Sequence, residues 1–278
     1  MSTAHEALEA ATDALTAAGV DSPRLDAEVL LAEASGISRA GLAASPETAL
    51  DPVATRAFSE FVRRRLRREP VAYITGRRGF RRIQLSVDRR VLIPRPETEL
   101  LVELALELEP QSVLDVGTGS GAIALAVAHE LPDSAVVATD LYPDALEVAR
   151  ENAVRLGLAS RVRLAHGSLA SGMYDLLVSN LPYVSEREWH DLEPELRDWE
   201  PRGALTPGPT GLEAIDALLG ELAVSPATRA RAIGLEVGEG QADTVADLVR
   251  RAGFAEVEVR KDLAGIERVV AGHAEARV

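Results

Sequence analysis

Two short segments of this 278-residue chain carry residue types that could do chemistry. The first reads Val113-Leu114-Asp115-Val116-Gly117-Thr118-Gly119-Ser120-Gly121-Ala122. An apolar run precedes the glycines and an Ala-rich run follows them, as at a strand–loop–helix junction. Glycines there let the backbone approach a ligand closely, and a helix N-terminus offers unpaired N–H groups. Asp140 closes the next predicted strand, where an acid can accept hydrogen bonds from ribose hydroxyls. Gly117, Gly119 and Ala122 also fit a relaxed dinucleotide fingerprint, so a nicotinamide-dependent oxidoreductase is one reading. Asp115 argues against it, because a carboxylate beside a pyrophosphate is repelled. An acid before the glycines suits a cationic ligand with an ammonium group. S-adenosylmethionine is such a ligand, having a sulfonium and an amino group and no phosphate. The bland alternative is a tight turn that binds nothing.

The second segment is Asn180-Leu181-Pro182-Tyr183, directly after a predicted strand over Tyr174–Ser179. In an open parallel sheet, ligands bind beyond the carboxyl ends of the strands, so both segments belong on one rim. Asn180 offers an amide oxygen as acceptor. Pro182 biases Leu181 to an extended conformation that can aim its carbonyl outward. Tyr183 offers a ring face. Two acceptors and an aromatic surface suit a planar group bearing –NH2. An amide nitrogen is a poor nucleophile because the carbonyl shares its lone pair. Two acceptors could draw it toward tetrahedral geometry, with no strong base needed before attack. The bland alternative is an Asn-x-Pro turn beside a core tyrosine.

The elements that must position these segments follow from hydrophobic spacing. Residues 4–68 read as helices. Ala7, Leu8, Ala11, Leu15 and Ala18 recur at helical spacing, Ser22-Pro23 opens a second helix, and Asp51 to Arg68 fits a third. Ile83, Leu85 and Val87 alternate as in a strand, with Asp88-Arg89-Arg90 as a turn and Val91-Leu92-Ile93 as the return. After a helix from Glu97 to about Leu108, strands and helices alternate. Strands are expected at Ser112–Val116, Ala135–Asp140, Val162–His166, Tyr174–Ser179 and Ala232–Val237, and helices at Ala122–Glu130, Asp144–Leu156 and Ala242–Ala252. That alternation means an α/β fold with a mainly parallel sheet. Val257–Lys261 and Arg268–Ala271 are joined too tightly for a parallel crossover, so they form a terminal antiparallel hairpin. The resulting division is a small N-terminal helical domain over residues 1–78, a hairpin linker over 79–95 and an α/β domain over 96–278.

Composition narrows the classes. The 46% hydrophobic content supports a real core, and the absence of cysteine excludes disulfides, thiolate metal sites and a Cys nucleophile. No metal site is expected. The acidic N-terminal stretch is unlike a secretory signal, and no apolar run reaches the ~18 residues of a membrane span, which fits a cytoplasmic protein. The formal charge of −14 disfavours nucleic acid as a primary substrate. Against that field, Arg63, Arg64, Arg65, Arg67, Arg68, Arg77, Arg78, Arg81 and Arg82 crowd one stretch. They read either as a solvated surface or as a docking patch for an acidic or RNA-bearing partner.

The chain resembles the bacterial release-factor glutamine methyltransferases of the HemK/PrmC type. The resemblance rests on Glu69-Pro70 with Ala72 to Gly76, on Leu92-Ile93-Pro94-Arg95-Pro96-Glu97-Thr98-Glu99, on Asp115 to Ala122, and on Asp140 with Pro143-Asp144-Ala145. Val178-Ser179-Asn180 with Pro182-Tyr183, Glu200-Pro201, Gly211-Leu212 and Arg260 to Gly265 extend it over nearly the whole length. It implies a Rossmann-like class I S-adenosylmethionine-dependent methyltransferase sheet. The expected reaction is transfer of a methyl group to N5 of the glutamine in the Gly-Gly-Gln loop of peptide chain release factors. S-adenosylhomocysteine would be the product of the cofactor. Asp115, Gly117, Thr118, Gly119, Ser120, Gly121, Asp140, Leu141 and Asn180 would surround the cofactor, with Ser168 and Leu169 near its adenine. Asn180, Leu181, Pro182 and Tyr183 would hold the glutamine, while the helical domain and hairpin recognise the release factor. A monomer is expected. Two positions depart from the family: Leu181 stands where it usually has Pro, and Ser168 where it commonly has Asp. Asn-Leu-Pro-Tyr also resembles the motif of adenine-N6 methyltransferases acting on RNA or DNA. That activity, glutamine methylation of a ribosomal protein, and a non-catalytic binding module are the competing readings.

Overall fold

The computed structural model describes residues 3–274, which divide into two compact units. The first runs to Arg77 and takes in Glu193–Trp199; the second holds Arg78–Leu192 and the chain from Glu200 onward.

The first unit is helical: α1 (Ala4–Ala17), α2 (Pro23–Ser35), α3 (Arg39–Ala44), α4 (Pro52–Arg65) and α5 (Val71–Thr75). Thr3 and Glu6 form a capping box at the start of α1, which satisfies N–H groups the helix itself cannot pair. Leu8, Leu15, Leu30, Leu31, Leu42, Phe58 and Ile74 fill the core of this unit. The sequence carries the last long helix to Arg68, but it stops at Arg65, because Arg68 turns to a left-handed φ of 63°. That turn sends the Arg68 guanidinium to the Gly19 carbonyl at 2.8 Å and to Glu195 at 2.6 Å. Arg65, itself buried, pairs with Asp26 and Glu195, both at 2.7 Å. Arg64 pairs with Glu69 at 2.6 Å, Arg63 with Glu60 and Arg77 with Glu33. Much of the arginine-rich stretch therefore meets carboxylates of its own unit.

A two-stranded hairpin follows, β1 (Arg77–Phe80) and β2 (Ile83–Ser86). This corrects the expectation of strands over 83–87 and 91–93. Ile83 and Leu85 do alternate inward, but their partner strand precedes them. The turn is at Arg81, whose φ is 50°. Its N–H donates to Glu99 at 3.0 Å, and its guanidinium reaches Glu103 at 3.0 Å and Glu130 at 3.1 Å. Residues 87–95 form no strand. Glu200 ties this linker down, accepting the Ile93 N–H at 3.0 Å and pairing with Arg95.

The linker leads through a 3-10 turn at Pro96–Thr98 into α6 (Glu99–Leu108). The sheet then comprises β3 (Ser112–Val116), β4 (Ala135–Asp140), β5 (Val162–His166), β6 (Gly172–Ser179), β7 (Thr228–Glu236), β8 (Phe254–Lys261) and β9 (Glu267–Ala274). Its order is β5-β4-β3-β6-β7-β9-β8. The first five strands in that order run parallel, and β9 is antiparallel to both neighbours. This is the α/β sheet with a terminal antiparallel hairpin that the sequence predicts. The further helices of the second unit are α7 (Ala122–Glu130), α8 (Pro143–Arg155), α9 (Glu186–Trp189), α11 (Glu213–Val224) and α12 (Ala242–Arg251), while α10 (Pro194–Arg197) belongs to the first unit. The elements expected from the sequence do not include α11. Its Ile215, Leu218, Leu219 and Leu222 join Val245 and Val249 of α12 in the cluster over Leu114, Leu177, Ile233 and Leu235 of the sheet. Chain order reverses between β3 and β6, the switch point where open α/β sheets bind ligands.

One buried side chain joins the hairpin to this sheet. Asn152 of α8 is fully buried. Its Oδ1 accepts the Ser86 N–H at 2.7 Å, and its Nδ2 donates to the Ser86 carbonyl at 3.0 Å and the Ser120 carbonyl at 2.9 Å. Removing it takes the partner from one buried and two part-buried backbone groups, and a buried group left unpaired costs about 1–3 kcal/mol. The expected effect of Asn152→Ala is therefore a loss of about 2–4 kcal/mol, allowing for water entering the gap. Urea denaturation of the second unit, followed by Trp189 fluorescence, measures this. A loss under about 0.5 kcal/mol, the range of an ordinary surface substitution, would show that the bridge contributes nothing.

Candidate active site

Strand register brings the two sequence motifs together. In the β3–β6 pair Val116 lies opposite Ser179, so the next residues, Gly117 and Asn180, leave the sheet side by side. Ser179 Oγ donates to the Val116 carbonyl at 2.6 Å, across the same rung. A cavity of about 660 Å³ opens beyond these strand ends, within the range of small-molecule sites.

The glycine loop forms one wall. Gly117, Thr118, Gly119 and Ser120 all line the cavity. The Gly117 and Thr118 N–H groups both donate to the Thr139 carbonyl at 2.9 Å, and the Gly119 N–H donates to Asp140 Oδ2 at 2.9 Å. Gly117 has a φ of 73°, and a Cβ there would stand 3.0 Å from Leu181 Cδ2. The position therefore requires glycine for conformation and for contact with the second motif. Gly121 faces away from the cavity: a Cβ there would meet Leu125 Cδ1 at 2.8 Å. It serves close helix packing instead of lining the wall.

Asp115 is placed differently from its sequence-based role. It is fully buried beneath the loop and does not line the cavity. Its Oδ2 accepts from Thr118 Oγ1 at 2.6 Å and the Ala124 N–H at 3.1 Å. Burial pushes its carboxyl up to about 7, with the Thr118 and Ala124 hydrogen bonds pulling the other way and Asp140 adding to the rise. Asp115 thus braces the loop against the start of α7.

Asp140 does line the cavity. It accepts from the Gly119 N–H through Oδ2 and from the Tyr142 N–H at 2.9 Å through Oδ1. Burial raises its pKa, and those backbone hydrogen bonds act against the rise. Each carboxylate oxygen has a second lone-pair direction for hydroxyl donors. Leu141 and Tyr142 follow it along the cavity, both more than half exposed. Ser168 lines the far wall, and its hydroxyl donates to Glu221 of α11 at 2.6 Å. The sequence reading missed Glu221, which brings a carboxylate to the position where Ser168 lacks one. Leu169 packs into the core cluster and does not line the cavity.

Asn180, Leu181 and Pro182 line the opposite wall. Asn180 Nδ2 donates to Thr98 Oγ1 at 3.0 Å. Its nitrogen end is thereby occupied, leaving Oδ1 as the acceptor for a ligand. Tyr183 does not present its ring to the cavity, contrary to expectation. Its hydroxyl donates to Glu236 Oε1 at 3.1 Å, and its carbonyl accepts from Gln241 Nε2 at 2.9 Å. Burial, with Glu236 beside it, pushes the Tyr183 pKa well up. A Cβ on Gly211 would collide with the Tyr183 carbonyl, so the loop over 201–211 packs directly on this turn. Tyr183 is thus an anchor of the loop. Thr98, Glu236, Gln241 and the Arg95–Glu200 pair all support the site without belonging to either motif.

The donor set decides what the cavity suits. Asp140, Ser168 and Glu221 make its walls rich in acceptors, which match ribose hydroxyls, amino groups and a positive charge. A pyrophosphate beside Asp140 would face a carboxylate at short range, and of the two arginines that line the cavity, Arg89 and Arg90, the latter is paired with Asp88 and Glu151. The residues therefore fit S-adenosylmethionine and oppose the dinucleotide reading.

Comparison with known proteins identifies the family. The family model described as PrmC N-terminal domain matches residues 6–76, and the Methyltransferase small domain model matches residues 96–193. The release factor glutamine methyltransferase of Caulobacter vibrioides is 41% identical over 275 residues, covering 96% of this chain and 95% of that protein. The protein of the same name from Bordetella pertussis is 44% identical over 260 residues, covering 90% of this chain and 95% of that one. Among solved structures, the human Mettl16 catalytic domain in complex with a 3′UTR hairpin superposes with a TM-score of 0.56. At 16% identity, over 70% of this chain and 77% of that one, it shares the fold alone. The glycine loop, the linker and the asparagine loop thus occur within a match that runs through both units, and the chain belongs to the release factor glutamine methyltransferase family.

Proposed function

We propose that this protein transfers a methyl group from S-adenosylmethionine to the side-chain amide nitrogen of the Gly-Gly-Gln glutamine in peptide chain release factors. It does so as a cytoplasmic monomer. The observation that carries the reading is the Asn180 amide, tied back through its nitrogen to Thr98 and set beside Gly117 at the cavity wall.

Asp140 would accept the ribose hydroxyls, Ser168 and Glu221 the adenine amino group, and the backbone of Gly117 to Ser120 would pack against the remainder. The cofactor supplies an electrophilic methyl group on a sulfonium. The protein's task is to present a nucleophile. Asn180 Oδ1 and the Leu181 carbonyl accept the two N–H bonds of the target amide. With both hydrogens held, the nitrogen can pyramidalise and recover its lone pair. When bound, the cofactor would supply its sulfonium methyl group to that nitrogen and leave as S-adenosylhomocysteine, and the surplus amide proton would then pass to solvent. Holding the two reactants in line can contribute about 7–11 kcal/mol in favourable systems.

Adenine-N6 methylation is the second reading, favoured by Leu181 in the Asn-Leu-Pro-Tyr motif. Against it, the arginine-rich stretch that would grip phosphates is largely paired with carboxylates. No helix among the described residues is long and apolar enough to cross a membrane.

Radiolabelled methyl transfer to a purified release factor tests the proposal, beside a factor lacking the Gly-Gly-Gln glutamine and ribosomal RNA as acceptors. Label is expected on the intact factor alone; label on RNA would establish the second reading. Asn180→Ala should lower kcat by about 10²–10³-fold, the scale of losing one preorganised polar partner, while cofactor affinity persists. A near-normal rate would remove the clamp from the mechanism. Asp140→Ala should weaken cofactor binding by about 10–100-fold in calorimetry, since charge-assisted hydrogen bonds contribute about 1.5–3 kcal/mol. Unchanged affinity would overturn its assignment to the ribose.

A further inference from the structure

A buried carboxyl stands behind the asparagine loop with no part yet in the reaction. Glu236 is the last residue of β7 and is 1% exposed. Ser179 lies opposite Leu235 in the β6–β7 register, so Glu236 follows at the level of Asn180. Its Oε1 accepts from the Tyr183 hydroxyl, while Oε2 has no hydrogen-bond partner among the described residues. The Thr98 hydroxyl lies close enough to act on the carboxyl, and that hydroxyl also accepts from Asn180 Nδ2.

We propose, building on the methyl-transfer reading above, that Glu236 is a positioning residue that fixes which end of the Asn180 amide faces the cavity. A threonine hydroxyl has one proton. When Thr98 accepts from Asn180, that proton must point elsewhere, and the Glu236 carboxylate is the acceptor near it. An acceptor-only Glu236 therefore forces Thr98 to accept, Asn180 to donate inward, and Oδ1 to remain for the substrate. Tyr183, held by the other oxygen, anchors the far end of the same loop. A donor in place of Glu236 would reverse the run: Thr98 would donate to Asn180 Oδ1, and the amide would turn its NH2 toward the cavity. A target –NH2 would then meet a donor.

Three further groups bear on this carboxyl: Tyr183 from the loop, Glu97 from the linker and Arg268 from β9. Burial pushes Glu236 up to about 7, the Thr98 and Tyr183 hydroxyls pull it back, Glu97 adds to the rise and Arg268 opposes it. Above that value Glu236 is ionised and accepts only. Below it the carboxyl has a proton to donate, so the orientation is lost and the rate falls in acid.

The test compares wild type with Glu236→Gln, Thr98→Val and Thr98→Ser in the full chain, measuring kcat at saturating cofactor across neutral pH. Glu236→Gln and Thr98→Val should each lower kcat by about 10–100-fold, the scale of one misdirected buried hydrogen bond. Cofactor affinity should hold, and Thr98→Ser should restore most of the rate. Wild type should show an acid limb near pH 7, as the carboxyl titrates, and Glu236→Gln should lack it. Wild-type kcat in Glu236→Gln, or a lowered kcat that keeps the acid limb, would overturn the proposal. If Glu236→Gln cannot bind cofactor, the Thr98 pair decides: equal rates for Val and Ser overturn it. If wild type methylates no release factor, the function reading fails separately. The Asn180 side-chain amide signal in a 1H–15N spectrum then decides, and a signal that does not move through neutral pH refutes the network.

Discussion

The site depends on one rung of the sheet. Glycine loop and asparagine loop lie far apart in the chain, yet must meet around one ligand. The parallel β3–β6 pairing puts Val116 opposite Ser179, and the Ser179 hydroxyl closes the rung onto the Val116 carbonyl at 2.6 Å. Side chains alternate faces along a strand, so a slip of one residue would turn Ser179 to the opposite face and separate Gly117 from Asn180. The fully buried Leu114, Leu176, Leu177 and Val178 make such a slip costly, since each would exchange its packing partners. Catalytic geometry is thus a by-product of core register, and neither loop must be rigid alone.

Having met, the loops are held by buried acids. Asp115, Asp140 and Glu236 are each driven upward in pKa by burial. Desolvating a carboxylate is expensive unless hydrogen bonds replace the water. Backbone N–H groups and hydroxyls do so in part here: Ala124 and Thr118 for one oxygen of Asp115, Gly119 and Tyr142 for both oxygens of Asp140, Tyr183 for one oxygen of Glu236. Asp115 and Asp140 thereby hold backbone N–H groups of the site, and Glu236 holds the Tyr183 side chain. Two of the three acids do not line the cavity, so their hydrogen bonds shape the site instead of binding in it. Fixed dipoles of this kind need no reorganisation when the ligand arrives.

What the sequence made legible follows the range of the interactions. Strand and helix periodicity is local, and the α/β alternation with its terminal hairpin could be read from it. The glycine loop and Asn180 were legible because their residue types are tied to chemistry. The linker hairpin was misplaced because the alternation of Ile83 and Leu85 reveals a strand and not its partner. Choosing β1 depends on Arg81 adopting a positive φ, supported by Glu99, Glu103 and Glu130 from later helices. Likewise, nothing near Glu195 suggests that it pairs with Arg65 and Arg68 of the helical unit. The arginine stretch looked basic for that reason. The motif suggests a ring face at Tyr183, while its orientation is set by Glu236 and Gln241, both more than fifty residues on.

Leu181 shows how far local physics can rationalise a departure from family pattern. Proline at this position would fix φ and remove an N–H. Leucine gives up that restraint, but its side chain reaches across the cavity wall to Gly117, where even a Cβ would crowd it, and packs at the edge of the core cluster. The constraint on the loop thus passes from a ring in the backbone to a contact between the two motifs. The Leu181 carbonyl, the one group the mechanism asks of this position, is common to both residues. Pro182 still biases the residue before it to an extended conformation whichever side chain it bears. The acceptor geometry is therefore compatible with leucine, and the cost of the exchange falls on conformational entropy that the Gly117 contact offsets.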